Sequence, residues 1–500
     1  MADADLIIVG AGSAGCALAG RLAELGHKRI LVLEAGPSDA HPLVRMPFGL
    51  VWLMGSGRDW SYRSTAQAHA AGRDISVPRG RMVGGSGSIN SMVWFRGQRS
   101  DFDGWNVPGW DADAVWPSFE GVEAAVRPGP LPDPHRLTRD LAQIFPGQSV
   151  PVPEAESAGP FRVNMRRGRR WSAADAFLRP ALRTGAVELR TGCEVDRLIF
   201  EEGRAVGVLL GDGRRVRAAR GVVMACGSIG SPAILMRSGI GPAAHLHALG
   251  IEPLADRQEI GRNLHDHPAV PVFHEGAGSG YGLTVGQLPL WALAPLRWSL
   301  TGRGRFASNS VEGGMFFDAS GQGGAPDCQV HFIPARLGHK GRAIGWGAGY
   351  YADVCLCRPK SRGVLQLKSP DWRTAPDIDL NLFSVDEDLE VLAQGLARLR
   401  SLLAQAPFGK RHAPEVFPGP ALKGHDALRE DIRARCGTAY HPVGTLRMGK
   451  ESTAPVAPDL RLRGVEGVWV ADASIMPNVT SANTNAPSMM IGWHGAALMT

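Results

Sequence analysis

Leu6-Ile7-Ile8-Val9-Gly10-Ala11-Gly12-Ser13-Ala14-Gly15, followed after an alanine-rich segment by Ile30-Leu31-Val32-Leu33-Glu34-Ala35-Gly36, is the stretch from which the rest of the chain is read. Four consecutive apolar residues at 6–9 suit a buried parallel strand. Gly10 permits a tight turn, Gly12 lets backbone N–H groups approach a pyrophosphate, and Gly15 lets the following helix lie close to the sheet. Leu18, Leu22 and Leu25 share one helical face, and Gly26 is placed to end that helix. The second apolar run finishes on Glu34, 24 positions after Gly10. An acid at that point accepts hydrogen bonds from a ribose diol and repels a 2′-phosphate. A glycine loop that only turned the chain would leave Glu34 unexplained. The two strands with their terminal acid predict a dinucleotide-binding unit.

Working outward, 500 residues suit two or three domains. With 44% apolar and 20% charged residues the composition is that of a soluble globular protein, and 64 glycines and 36 prolines predict many tight turns. A net charge of +6 over this length points to no polyanionic partner, so no nucleic acid is expected. The dense basic run Arg166-Arg167-Gly168-Arg169-Arg170 reads as a solvated loop, with contact to nucleic acid or an acidic lipid surface as the alternatives. Seven cysteines form no paired framework, and Cys355-Leu356-Cys357 has no second ligand pair nearby. Reduced thiols, no metal site and a cytoplasmic location are therefore expected. No signal peptide precedes the first strand. The longest apolar run, 288–296, is too short and too broken by proline to span a bilayer. It suits either a membrane surface or an apolar cover over a site.

Small residues from Gly84 to Ser88, flanked by Met92-Val93-Trp94-Phe95, mark 78–97 as a ligand-lining loop. Ser172 to Pro180 reads as a short capped helix, and strand-like pieces follow at 187–189, 194–200 and 206–210. Val222 to Cys226 is a further parallel-type strand running into Gly227-Ser228-Ile229-Gly230, so the first α/β layer resumes after an interruption. From 269 to 450 the texture changes: alternating runs such as Val330-His331-Phe332-Ile333 predict an antiparallel sheet, with amphipathic helices near 385–405 and 426–435. The tail returns to the first layer through 467–474, a strand ending in Asp472. The expected division is a discontinuous dinucleotide domain (1–135, 180–268 and 452–500) and an α+β substrate domain (136–179 and 269–451). No second GxGxxG follows a strand, which argues against a separate NAD(P)H fold.

Several of these pieces together resemble one family over essentially the full chain, the glucose–methanol–choline (GMC) flavin oxidoreductases. The pieces are Gly10–Gly15 with Glu34, Pro78–Asn90, Gly227–Gly241, Gly261-Arg-Asn-Leu-His-Asp-His267-Pro, Tyr440-His441-Pro-Val-Gly444-Thr, Ala471-Asp472-Ala473-Ser-Ile-Met-Pro477 and Asn483-Thr484-Asn485-Ala-Pro. The resemblance implies a glutathione-reductase-like Rossmann FAD domain beside a substrate domain. Carried over by position, it implies FAD contacts at Gly10, Gly12, Ser13, Ala14, Gly15, Glu34 and Ala35, with Glu34 on the ribose. Arg81, Gly84, Gly85, Ser86, Ile89, Asn90, Met92 and Val93 would face the pyrophosphate and flavin, and the Val195 backbone would hold the adenine. Cys226, Gly227, Asp472, Ala473, Asn483, Thr484 and Asn485 complete the set. Some relatives attach FAD covalently through a histidine; Ile89 occupies that position here, which implies non-covalent FAD.

Alcohol oxidation removes a proton from oxygen and a hydride from carbon, so a flavin enzyme needs a base and donors to the substrate oxygen. The resemblance places His441 in the first role and Asn485, 44 positions on, in the second. An alkanol (pKa ~16) meeting imidazole (~6.5) would give up its proton in free solution at a cost of roughly 13 kcal/mol. Proton and hydride must therefore leave nearly together, or the site must stabilise the alkoxide. His265 and His267 carry less weight, and His245, His247 and His494 read as helix-surface residues. Trp94, Phe95, Trp291, Trp298 and Phe332 are the aromatic candidates for a pocket, with packing as the alternative. The expected substrate is a primary alcohol, aliphatic or aryl, with a sugar or polyol as alternative and hydroxynitrile cleavage as the non-oxidative one. The oxidant is O2 or a quinone or other electron carrier, and the chain a monomer or homodimer.

Overall fold

The computed structural model describes residues 2–276, 279–336, 346–405 and 408–499. Its centre is the strand Ala4–Val9, whose Ile7 and Ile8 are wholly buried. It pairs in parallel with Ile30–Glu34 on one side and Arg215–Met224 on the other. Val187–Thr191 extends the sheet beyond Ile30–Glu34, and Val468–Val470 pairs in parallel with Arg215–Met224. Arg204–Leu210 and Val195–Glu201 add an antiparallel flank. Strands buried on both faces explain why 6–9 and 30–33 are unbroken apolar runs.

Two helices close on this layer because glycines let them. A Cβ at Gly15 would lie 2.1 Å from the Gly10 carbonyl oxygen, so only glycine brings the helix Ser13–Glu24 onto the turn. A Cβ at Gly492, in the last helix Asn485–Leu498, would lie 2.1 Å from the Ala14 carbonyl oxygen. The first helix ends where its sequence dictates: Gly26 takes φ +91° and the His27 N–H returns to the Leu22 carbonyl.

A second, antiparallel sheet has the spatial order Glu415–Phe417, Pro268–Glu275, Gly349–Leu356, Cys328–Ile333, Gly313–Phe317 and Ser157–Pro160, with Gly437–Thr438 also on Pro268–Glu275. The helix Asp386–Ala404 buries Leu389, Leu392, Leu396, Leu399 and Leu403 and carries three acids in its first turn, matching its dipole. Gly395 lets it approach the sheet, since a Cβ there would be 2.7 Å from the Cys328 sulfur.

The short capped helix expected at 172–180 forms as the π-turn Ala174–Leu178 running into the helix Arg179–Arg183, with Ser172 and Asp175 bonded reciprocally at its start. One expectation needs correction. The arginine run is a tight hairpin of Met165–Arg166 and Arg169–Arg170, and its last member is no solvated residue. Arg170 is 1% exposed and donates to the carbonyls of Val44 and Gly87 and to Asn90 Oδ1.

The Gly492 contact gives a direct test of the layer. Gly492→Val should lower the unfolding free energy by about 1–3 kcal/mol or more, read from urea titration. Gly57→Ala, at a site with nothing within 4 Å, should leave it unchanged. Equal midpoints for both variants would refute the close-packing account.

Candidate functional site

The two sheets enclose a cavity of about 730 Å3, with Val9 and Leu33 of the first and Ala269, Phe273 and Ile333 of the second on its wall. Around one part of it six backbone segments converge. Gly10, Gly12, Ser13 and Ala14 open the first helix; Glu34 and Ala35 end the second strand. Gly85, Ser86, Ile89, Asn90, Met92 and Val93 come from the 78–97 loop, and Val195, Cys226, Gly227, Asp472 and Ala473 from beyond it. The two glycine-rich loops touch, for a Cβ at Gly85 would lie 2.8 Å from the Gly12 Cα. At Gly12 a Cβ would meet nothing nearer than 3.8 Å, leaving the room that a phosphate requires.

The two acids of this region are held rigidly. Glu34 accepts from the Ala11 N–H at 2.9 Å and the Gly36 N–H at 2.8 Å. Burial pushes its carboxyl up to about 7, with those two N–H bonds opposing the shift. Asp472 accepts at Oδ2 from the Gly227 N–H (2.8 Å) and the Ser231 hydroxyl (2.6 Å) and at Oδ1 from the Ser474 N–H (2.8 Å). It thereby fixes the start of the helix Gly227–Arg237 against the tail.

Three expected cofactor residues are not on the cavity wall. Gly15 serves helix packing, Gly84 (φ +86°) donates to the Ala11 carbonyl, and Arg81 lies behind two wall residues, bonded to Glu194 (3.0 Å) and over the Trp60 ring. Arg79 lines the cavity instead, and its guanidinium donates to the Tyr440 carbonyl.

His441 stands where both sheets meet the cavity. Its backbone N–H donates to Asp266 Oδ1 at 2.8 Å. Its ring nitrogens lie 3.1 Å from His267 Nδ1 and 3.2 Å from Asn483 Nδ2. Asn483 Nδ2 is also 3.3 Å from His331 Nε2, while its Oδ1 accepts from Gln329 Nε2 at 3.0 Å. His331 Nδ1 lies 3.0 Å from Asp353 Oδ1, and the Tyr351 hydroxyl donates to Asp353 Oδ2 at 2.8 Å. With the Asn483 and Gln329 amides in this orientation, Gln329 donates to the Asn483 oxygen and the Asn483 nitrogen donates to both imidazoles at Nε2. Burial, reinforced by His267, His331 and Arg79, holds His441 far below the ordinary imidazole range. It is a neutral ring on the cavity wall.

Asn485 Oδ1 accepts from the Ser13 hydroxyl at 2.7 Å, and the amide that bonds His441 belongs to Asn483, in the turn before the last helix. Asn485 Nδ2 is buried on the cavity wall without a protein partner among the described residues. His267, given little weight in the sequence, touches His441; His331 and Asp353 were missed. No local signal marks them, for it is the register of two strands in the folded sheet that sets them directly opposite each other. His265 is structural, bonded to the Asn263 carbonyl and the Val479 N–H (2.9 Å), and His494 is half-buried against Trp110. All five aromatic candidates are packing residues: Trp94 donates to Glu123, Trp298 to the Gly168 carbonyl and Trp291 to the Gly282 carbonyl, Phe95 meets Phe161, and Phe332 meets Tyr350. Phe48, Phe273, Tyr281 and Tyr351 line the cavity instead.

Comparison with known proteins gives concordant matches. The family model described as GMC oxidoreductase matches residues 4–269 with its N-terminal part and 359–492 with its C-terminal part. An alcohol dehydrogenase [acceptor] of Pseudomonas putida is 34% identical over 99% of this chain and 95% of its own. An oxygen-dependent choline dehydrogenase of Sinorhizobium medicae is 37% identical over 98% of this chain and 94% of its own. The crystal structure of pyridoxine 4-oxidase from Mesorbium loti superposes with a TM-score of 0.86 at 28% identity, covering 99% of this chain and 98% of that one.

Two outcomes follow from this geometry. Ile89 presents a buried alkyl group to the cavity, so acid precipitation should leave all yellow colour in the supernatant; flavin retained on the precipitated chain would contradict this. His265 and His267 are both held at about 3 by burial, below the ~6.5 of an unfolded histidine. Between those values the unfolded chain binds more protons, so stability falls as pH drops through that window. His267→Gln should make the fall of the urea-unfolding free energy with pH shallower, and an unchanged slope would exclude the residue from it.

Proposed function

The chain belongs to the GMC oxidoreductase family, and from that premise we propose that it oxidises a primary alcohol, aliphatic or aryl, to the aldehyde, with His441 as base and Asn485 as donor to the substrate oxygen. It is an FAD-dependent oxidoreductase acting on CH–OH donors, as its family and relatives are. When bound, FAD supplies the hydride acceptor. Glu34 suits the ribose diol, and the open approach at Gly12 suits the pyrophosphate.

The observation that carries the reading is the state of His441: a neutral imidazole on the cavity wall whose Nε2 lone pair is held by Asn483 at 3.2 Å. A hydroxyl entering the cavity displaces that amide from the lone pair and gives its proton to Nε2. The proton on Nδ1 faces His267, whose own ring stays neutral, so the ring pair holds the imidazole in the orientation that leaves Nε2 basic. Asn485 Nδ2 has a hydrogen to give and no protein partner among the described residues to take it, which suits it to a developing alkoxide. Anchoring of its Oδ1 by Ser13 fixes the direction of that donor.

Ala269, Pro271, Phe273 and Ile333 make the second-sheet wall largely apolar, which favours a hydrophobic alcohol over a sugar. Asp353, a carboxylate of that sheet on the wall, has both oxygens hydrogen-bonded by His331 and Tyr351, which makes it a poorer partner for a quaternary ammonium than an unengaged carboxylate. Neutral primary alcohols should therefore bleach the flavin anaerobically, followed at its visible absorption band, well ahead of choline. His441→Ala should slow that bleaching by a factor of ~10² or more with FAD still bound. Bleaching at the normal rate in a flavin-replete His441→Ala would remove His441 from the base role. No bleaching of wild type by any alcohol would favour a non-oxidative activity.

A further inference from the structure

The helix Leu288–Thr301 is apolar nearly all round, yet Ala294 is its one buried residue. Leu290, Leu293, Leu296 and Leu300 are 54%, 60%, 58% and 76% exposed, and Val285 just before them 75%. An unbroken leucine surface of this kind belongs against a non-aqueous phase. Trp52, 49% exposed, continues it: Phe48 packs on Trp52 at 5.6 Å and on Trp291 of the helix at 5.4 Å. Phe48 is also on the wall of the cavity, so patch and cavity share a side chain.

Charge indicates the occupant. Residues 285–305 hold three arginines and no acid. The arginine hairpin is fastened to the end of the helix, where Trp298 Nε1 donates to the Gly168 carbonyl at 2.7 Å and the Arg169 guanidinium lies 5.3 Å from the Trp298 ring. Arg167, Arg169, Arg297 and Arg303 are all exposed there. A second copy pairing leucine face to leucine face would bring these arginines towards one another. A bilayer with anionic headgroups takes leucines and arginines together. Fourteen residues give a helix about 21 Å long, short of the ~30 Å of a hydrocarbon core, so it can lie in the interface and not cross.

We infer that the helix Leu288–Thr301, with Trp52 and the arginine hairpin, docks this enzyme on a membrane surface rich in anionic lipid, beside the wall of its cavity. Apolar alcohols dissolved in the bilayer then reach the cavity without crossing water. The docking is read from lipid binding alone and stands or falls apart from the alcohol chemistry.

The test is co-sedimentation of the holoenzyme with vesicles of phosphatidylcholine and phosphatidylglycerol, against phosphatidylcholine alone. Wild type should bind the mixed vesicles, weaken with added salt, and bind the neutral ones roughly tenfold less well or worse. Leu293→Glu/Leu300→Glu should lose at least about tenfold in vesicle affinity with flavin content and turnover of a water-soluble alcohol unchanged. Arg167→Glu/Arg169→Glu should lose the salt-dependent part. No binding of wild type to either vesicle would overturn the proposal. So would a wild-type dimer in analytical ultracentrifugation that Leu293→Glu/Leu300→Glu converts to monomer, since the stripe would then be covered by a second copy.

Discussion

The hydrogen bond from the Ser13 hydroxyl to Asn485 Oδ1 joins the starts of the first and last helices, and the site depends on it being made. It can form only because glycine at 492 lets the last helix lie against the Ala14 carbonyl. Asn483 stands two residues before that junction, and Asp472 reaches back from the preceding strand to the helix at Gly227. A turn near residue 12 and an amide near residue 485 thus face the same cavity although almost the whole chain lies between them. What looks like a local glycine motif is one half of a clasp whose other half is the tail.

The second constraint is electrostatic. Three imidazoles, His267, His331 and His441, are crowded at the edge of one cavity, and no more than a fraction of their possible charge could be buried there. The solution is to keep the proposed base and its neighbour His267 neutral by burial and to let one primary amide satisfy two rings at once. An amide donates twice and has no proton to lose, so it fixes the tautomer of both rings without joining in proton transfer. Gln329, on a strand of the second sheet, decides which way that amide faces. The first sheet belongs to the FAD-binding fold; the second supplies the residues that orient the Asn483 amide beside His441.

The sequence was most legible where a backbone requirement dictates residue type. The glycines at 10, 12 and 15 and the two apolar strands around them could be read because sterics leave few alternatives, and His441 because its motif is continuous. The partners of His441 were not legible in the same way. Asn483 and Asn485 differ by two positions at the entrance to a helix, and their division of labour depends on how that turn packs on Ser13. His331 and Asp353 meet through the register of two strands that only the folded sheet aligns. Aromatic residues misled because a ring that packs in a core and a ring that lines a cavity have the same one-dimensional appearance. Arg170 misled for the opposite reason, since a run of arginines gives no hint that its last member ends under backbone carbonyls.

The place of the strand Val468–Val470 has a consequence for biosynthesis. It pairs with Arg215–Met224, which forms its other parallel contact with Ala4–Val9. A ribosome adding 5–20 residues per second needs roughly 12–50 s to pass from one strand to the other. During that interval part of the edge of Arg215–Met224 stays open, an apolar strand offering unpaired N–H and C=O groups to any neighbouring chain. The emerging polypeptide must therefore keep its cofactor cleft unfinished, and its sheet edge shielded by other means, until Val468–Val470 has been translated.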